Sequence, residues 1–242
     1  MKNNRFSRSM ALIGNSGIEK LKNSAVIVFG VGGVGSYAVE ALARAGVGKL
    51  TIVDFDKVDI TNINRQIIAL TSTIGEYKAE VARKRVSDIN PDCNVTALCE
   101  FVAPENIADF NLEGYNAAID ATDNVTAKLA IACQCHLVGT SLISSMGAGN
   151  KLNPLKFKVG DIFETTECPL ARVMRRELRK RGIPSLRVVY STEHPVKVAT
   201  DIPTNEKTPP PSSISFVPST AGLLIAAEVV NNMLLNPLKI FK

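Results

Sequence analysis

Between Ala25 and Gln66 the chain reads AVIVFGVGGVGSYAVEALARAGVGKLTIVDFDKVDITNINRQ, and this stretch leaves few folds open. Ala25 to Phe29 is a short apolar run rich in β-branched residues, the pattern of a strand buried on both faces. Gly30, Gly32 and Gly35 follow in the order G-x-G-x-x-G, with an additional Gly33. Ser36 to Ala45 places Val39, Leu42 and Ala43 at helical spacing, and Gly46 is positioned to end that helix. Leu50 to Val53 is a second buried strand with Asp54 at its end, 19 residues beyond Gly35. Glycines let backbone N–H groups approach phosphates at a helix N-terminus, and an acid at that distance receives ribose hydroxyls. The reading is a nucleotide-binding Rossmann unit in an α/β, doubly wound, mostly parallel sheet. A glycine-rich turn kept for packing alone is the alternative.

The residues after Asp54 bear on which nucleotide is bound. A dehydrogenase would continue into an unremarkable polar loop, whereas here Asp56, Asp59, Asn62, Asn64, Arg65 and Gln66 crowd together, followed by Gly75-Glu-Tyr-Lys78. An arginine and a lysine beside a backbone nest supply the fixed cations that a reacting triphosphate needs. From about Arg5 to Asn124 these motifs resemble the ThiF/MoeB family, adenylating enzymes of the ubiquitin-activating superfamily. The resemblance implies ATP bound over Gly30, Gly32, Gly33 and Gly35, with Asp54 on the ribose. It implies Asn62, Arg65, Gln66 and Lys78 at the triphosphate, with Asp56 in the same group. It further implies magnesium handled by Asp123 and a homodimer in which Arg8 reaches the neighbour's ATP. The bland reading of Arg8 is a frayed cationic terminus.

At 242 residues the chain is long enough for a large core, and its 45% hydrophobic and 21% charged composition is that of a globular domain. The net charge of +5 admits a polyanionic partner, provided the basic residues cluster. Cys93, Cys99, Cys133, Cys135 and Cys168 are odd in number and lack C-x-x-C spacing, which suits reduced thiols in cytoplasm. Residues 1–10 have no apolar core of the kind a signal peptide carries.

Along the chain, Gly14 to Leu21 is expected to form a short helix and Tyr77 to Ile89 a longer one, closed by Asn90-Pro91. Asn94 to Leu98 is a third strand, Pro104 to Phe110 is helical, and Ala117 to Ile119 with Asp120 is a fourth strand. Asp123 then lies just past a strand's carboxyl end, where open parallel sheets bind ligands, unless it serves only as a helix cap. Thr126 to Val138 is a helix carrying Cys133, Cys135 and His136, which point in different directions and suit a shared metal poorly. Gly139 to Gly149 is a strand running into the small-residue turn SSMGAG.

The final third contains Cys168-Pro-Leu-Ala-Arg172 and a helix from Pro169 to Arg181. Leu170, Val173, Met174 and Leu178 form an apolar stripe, opposed by Arg172, Arg175, Arg176, Arg179, Lys180 and Arg181. Leu186 to Ser191 is a strand followed by Glu193-His194-Pro195. This order resembles the tRNA threonylcarbamoyladenosine dehydratase branch of the family, with Cys168 where that branch suggests an acid. The two C-x-x-C pairs that hold zinc in sulfur-carrier activators are missing, so no zinc is expected. Residues 195–213 are expected to be a crossover segment. A last helix, Ala221 to Leu235 capped by Ser219-Thr220, is expected to be too short and too charged at Glu228 for a membrane span.

The expected organisation is one ThiF-like domain: residues 1–24 an arm and helix, 25–150 the nucleotide-binding core, 151–242 a substrate and dimer extension. The resemblance implies ATP-dependent adenylation of the carboxylate of threonylcarbamoyladenosine in tRNA, followed by cyclisation. Arg172, Arg175, Arg176 and Arg179 are the candidate tRNA contacts, and a sulfur-acceptor protein linked to a cysteine desulfurase is a possible partner. The alternative is adenylation of the C-terminal glycine of a ubiquitin-like sulfur carrier, with Cys168 as a thioester nucleophile.

Overall fold

The computed structural model describes residues 4–197 and 211–235. Seven strands form one sheet in the order β3-β2-β1-β4-β5-β7-β6. In chain order they are β1 (Ala25–Phe29), β2 (Lys49–Val53), β3 (Asn94–Leu98), β4 (Ala117–Asp120), β5 (Leu142–Ser145), β6 (Phe157–Asp161) and β7 (Arg187–Ser191). All neighbouring pairs are parallel except β6 with β7. The helices are α1 (Ser7–Lys22), α2 (Gly35–Ala45), α3 (Lys78–Ile89), α4 (Val125–Val138), α5 (Pro169–Lys180) and α6 (Phe216–Leu234). The doubly wound, mostly parallel sheet is the one expected, and the order of strands reverses between β1 and β4.

The central strands are buried on both faces because helices cover both, so β1, and β4 as far as Ile119, are apolar without alternation. One core cluster joins Val26, Val28, Leu50 and Ile52 to Leu42 of α2, Val86 of α3, and Val217, Ala221 and Ile225 of α6. A second lies on the opposite face, with Ile27, Phe29 and Val53 under Ile131 and Cys135 of α4. A third seats Ala171, Met174 and Leu178, one side of α5, against Leu129, Val188 and Tyr190. Each large apolar side chain so buried contributes about 1.5–3 kcal/mol.

Several expectations need correction. α1 begins at Ser7, earlier than Gly14, and bends where Gly14 adopts φ 73°. The expected helix at Pro104 shrinks to a 3-10 turn at Ile107–Phe110. Strand β6 was not anticipated, because Phe157-Lys-Val-Gly-Asp161 is too short and mixed to stand out; it is an edge strand defined by pairing with β7. α6 starts at Phe216, ahead of Ser219-Thr220, with Pro218 accommodated in its first turn. At 19 residues α6 is long and apolar enough to cross a membrane, so length does not argue against a span. What marks it as a core helix is its packing on α2 and β5, together with Glu228, which accepts a hydrogen bond from Arg187 Nε at 2.8 Å.

Most of the expected crossover, 195–213, lies outside the described residues, but both its ends meet Asn150. Asn150, at φ 56°, accepts from Val196 N at 2.7 Å and exchanges two hydrogen bonds with the Ser212 backbone. Asparagine is among the few residues that tolerate this backbone region.

Candidate active site

The register of the sheet builds the site. Phe29 pairs with Val53 on one side and Asp120 on the other, so the turns after β1, β2 and β4 emerge together. Gly30, at φ 83°, packs so closely on the β4 turn that a Cβ would lie 2.9 Å from Ala121 O and 3.1 Å from Thr122 N. Gly35 opens α2 against the Gly30 carbonyl, where a side chain would overlap that oxygen. The glycine pattern thus serves packing, and it places the turn at the N-terminus of α2, the position where a phosphate nest is expected. α6 roofs the nest: a Cβ on Gly33 would lie 3.1 Å from Pro218.

Asp54 continues β2 beside this turn. Its Oδ2 accepts from Val31 N at 2.7 Å and its Oδ1 from Asp56 N at 2.9 Å. Burial raises its pKa above the usual aspartate value, against the pull of the Val31 N–H and the Lys78 charge. Each oxygen keeps a lone pair for a further donor such as a ribose hydroxyl. Lys78 opens α3, is buried, and pairs through Nζ with Asp56 Oδ2 at 2.7 Å. The 3-10 turn Ile60–Asn62 is fixed by a capping box, Asp59 accepting from Thr61 N and Asn62 Oδ1 from Asp59 N. Asn62 is therefore spent on structure through its oxygen. Arg65 donates through Nη1 to Thr61 O at 2.8 Å and Asn64 Oδ1 at 3.1 Å. Gln66 is buried beneath the turn, and its Oε1 is without a partner among the described residues.

Asp123 sits in the turn after β4, exposed. Asn124, not Asp123, caps α4 by accepting from Ala127 N at 3.0 Å, so the capping role weighed for Asp123 belongs to its neighbour. Among the described residues Asp123 makes no hydrogen bond or ion pair. One free carboxylate beside a phosphate nest fits magnesium, which keeps most of its waters and takes one or two protein oxygens plus phosphate oxygens. Among the described residues no three His, Cys, Asp or Glu side chains converge as a metal cluster.

Sequence reasoning missed the group behind this turn. Lys128 of α4 and Asp120 of β4 form an ion pair of 3.0 Å, both fully buried. A lysine one turn inside an apolar helix is its only sequence signal. Ser36, at the start of α2, was also passed over; its buried hydroxyl has no partner among the described residues and lies in the helix's first turn.

Other candidates lie apart from the nest. Arg8 is exposed near the start of α1 and has no partner among the described residues. Neighbouring Arg5 donates to Ile89 O at 2.9 Å, which ties this arm to the C-terminal end of α3, the end away from Lys78. The cationic face of α5 is largely occupied with itself. Glu177 accepts from Arg176, Lys180 and Arg181, and the Arg181 and Lys180 donors lead in holding its pKa near 2. Arg175 bonds to Thr165, and Arg179 stacks 5.0 Å over the Phe163 ring. Arg172 alone of the four tRNA candidates is exposed without a partner among the described residues.

Cys168 is 2% exposed at the N-terminus of α5, packed against the Gly147 backbone. Glu193 is consumed structurally, accepting from Leu152 N and Asn153 N at 3.0 Å each. Cys135 is buried in the second core cluster, which pushes its thiol pKa up to about 12.

Residues 6–239 match the model of the ThiF family. A tRNA threonylcarbamoyladenosine dehydratase of Bacillus subtilis is 45% identical over 240 residues, covering 95% of this chain and 94% of that protein. Crystal structures of the Escherichia coli enzyme TcdA superimpose closely. The complex with AMP has a TM-score of 0.89 at 33% identity, covering 97% of this chain and 96% of that one. The complex with ATP has 0.88 at 34%, covering 98% and 96%. With its glycine turn, acid and paired cations at the sheet's switch point, and with these likenesses along nearly its whole length, the chain belongs to the ThiF family.

Proposed function

We propose that this chain is an ATP-dependent tRNA threonylcarbamoyladenosine dehydratase. The observation that carries the reading is the convergence of Asp54, Lys78 and the unpartnered Asp123 on one glycine turn, in a chain whose full-length relative bears that name. ATP lies with its ribose at Asp54 and its phosphates over Gly30 to Gly35. Arg65, Lys78 and Gln66 face the triphosphate, and Lys78 exchanges Asp56 for phosphate as ATP enters. Magnesium held by Asp123 would neutralise phosphate charge as it shifts to pyrophosphate.

A carboxylate oxygen of the modified nucleoside attacks the α-phosphorus, and the bond to pyrophosphate breaks. The carbamoyl group of the same nucleoside then bonds to the activated carbonyl carbon, the bond to AMP breaks, and a proton passes to solvent. The second step is intramolecular, so holding the adenylate dry and in place is most of the catalysis required. No protein nucleophile enters, in keeping with the buried Cys168. The active unit is a cytoplasmic homodimer, with Arg8 of each subunit directed at the neighbour's phosphates. Arg172 makes the leading tRNA contact on α5, since its neighbours are engaged.

The test is incubation with ATP, magnesium and tRNA bearing threonylcarbamoyladenosine, followed by nucleoside mass analysis. Loss of one water from that nucleoside, with matching AMP release, is the expected result. AMP release dependent on a sulfur-carrier protein and not on tRNA would overturn it. A salt series on Arg172→Ala adds a second arm, with a loss of about 0.7–0.9 in the log–log slope expected if one phosphate contact is removed.

A further inference from the structure

We propose that the buried Lys128–Asp120 pair is a positioning device that presents Asp123 to the nucleotide. Burying two charges is costly, and an apolar pair of similar volume is often equally stable, so stability is a weak reason for such a pair. Here every polar atom is used. Lys128 Nζ donates to Asp120 Oδ2 at 3.0 Å, Ser144 Oγ at 3.3 Å and Ser145 O at 2.7 Å, which exhausts its three hydrogens. Ser144 Oγ donates in turn to Asp120 Oδ2 at 2.6 Å. The cluster ties α4 and β5 to the last residue of β4.

The other carboxylate oxygen is what reaches the site. Asp120 Oδ1 accepts from both Thr122 N at 3.1 Å and Thr122 Oγ1 at 2.8 Å. Two residues on, Asn124 is pinned by its cap to Ala127. Asp123 is thus held between two anchored neighbours, and its own carboxylate has no partner among the described residues. Directly beneath, Ala121 O and Thr122 N support Gly30. The turn that carries Asp123 is therefore set by one buried carboxylate, while the nest turn keeps anchors of its own, Gly30 N on Val53 O and Val31 N on Asp54. Lys128 and Ser144 both donate to Oδ2, which holds that oxygen inward and turns Oδ1 toward Thr122. The pair is neutral as a whole, so it acts through geometry, and Lys128 and Asp120 are positioning residues that do not touch substrate.

Two double variants separate geometry from charge. Asp120→Leu/Lys128→Met removes the pair and the acceptor for Thr122, while Asp120→Asn/Lys128→Met removes the charges and keeps an Oδ1 acceptor. Hydrogen exchange of the amides of 121–124 is measured first, because it does not depend on the adenylation reading on which the kinetic arm rests. In the Leu/Met variant those amides are expected to exchange about tenfold faster or more, with β1 and β2 unchanged. Its kcat for tRNA-dependent AMP formation is expected to fall about a hundredfold, the cost of misplacing a group by about 1 Å. KM for ATP should stay within about threefold, because Asp54, Arg65 and Lys78 are untouched.

The Asn/Met variant should recover the slow exchange and at least about a tenth of the lost kcat. A folded Leu/Met variant with wild-type exchange in 121–124 and wild-type kcat overturns the inference, as does an Asn/Met variant no better than Leu/Met. Should the Leu/Met variant fail to fold, Thr122→Val, which removes only the hydroxyl bond, carries the same test: unchanged exchange and kcat overturn the proposal. A wild-type protein that releases no AMP with tRNA refutes the adenylation reading, while the exchange arm still decides the positioning.

Discussion

Gly30→Ala is the sharpest test of how the nest is built. Gly30 has φ 83°, and a Cβ there would meet Ala121 O at 2.9 Å, Ala121 C at 3.0 Å and Thr122 N at 3.1 Å, all backbone. The turn cannot yield freely, because Gly30 N is bonded to Val53 O at 2.8 Å and Val31 N to Asp54 at 2.7 Å. The left-handed backbone costs about 1–2 kcal/mol for a residue with a side chain. Overpacking against rigid neighbours adds about 1–3 kcal/mol. Gly75 separates the two, since it has φ 88° with nothing within 4 Å, so Gly75→Ala bears the backbone cost alone. Gly30→Ala should therefore be less stable than Gly75→Ala by about 1–3 kcal/mol, or roughly 2–12 °C in melting temperature for a chain of this size. Relieving the contacts moves the nest off the β4 turn. Losing one charge-assisted amide contact weakens ATP binding by about 1.5–3 kcal/mol, ten- to hundredfold by calorimetric titration. A Gly30→Ala protein that melts with Gly75→Ala and binds ATP like wild type would refute the reasoning.

Two further outcomes follow from other parts of the molecule. Burial pushes the pKa of Glu40 up, but Arg85 at 2.6 Å and Arg44 at 2.7 Å outweigh it, and the folded value lies below the ordinary 4.5. Its stabilisation is present above the unfolded pKa and lost as pH falls through the folded one. Glu40→Gln should thus be less stable by about 1.5–3 kcal/mol near neutral pH and show a flatter loss of melting temperature between about pH 5 and 3; parallel curves would exclude the effect. If Arg8 acts across a dimer, mixing inactive Arg8→Ala and Lys78→Ala proteins should restore about a quarter of wild-type AMP formation, because half the dimers then hold one intact site. No recovery after verified subunit exchange would remove Arg8 from the partner's site.

Much of this protein is local, and the sequence by itself determined it. The β1–turn–α2–β2 unit was legible because burial on both faces forces uninterrupted apolar strands, and the glycines and Asp54 follow at fixed distances. α3 and α4 were legible for the same reason, since periodicity and caps are short-range signals. Tertiary structure alone decided what depends on residues distant in sequence. β6 exists through its pairing with β7, and α6 extends back to Phe216 because its first turn packs against the nest. The charge pattern of α5 showed six cations but not that Glu177, Thr165 and Phe163 engage five of them. The resemblance singled out Asp123 as the magnesium acid and left Asp120 as no more than the end of a strand. Only folding buried one against Lys128 and left the other free, because a carboxylate's role is set by the partners and water around it, and composition and spacing specify neither.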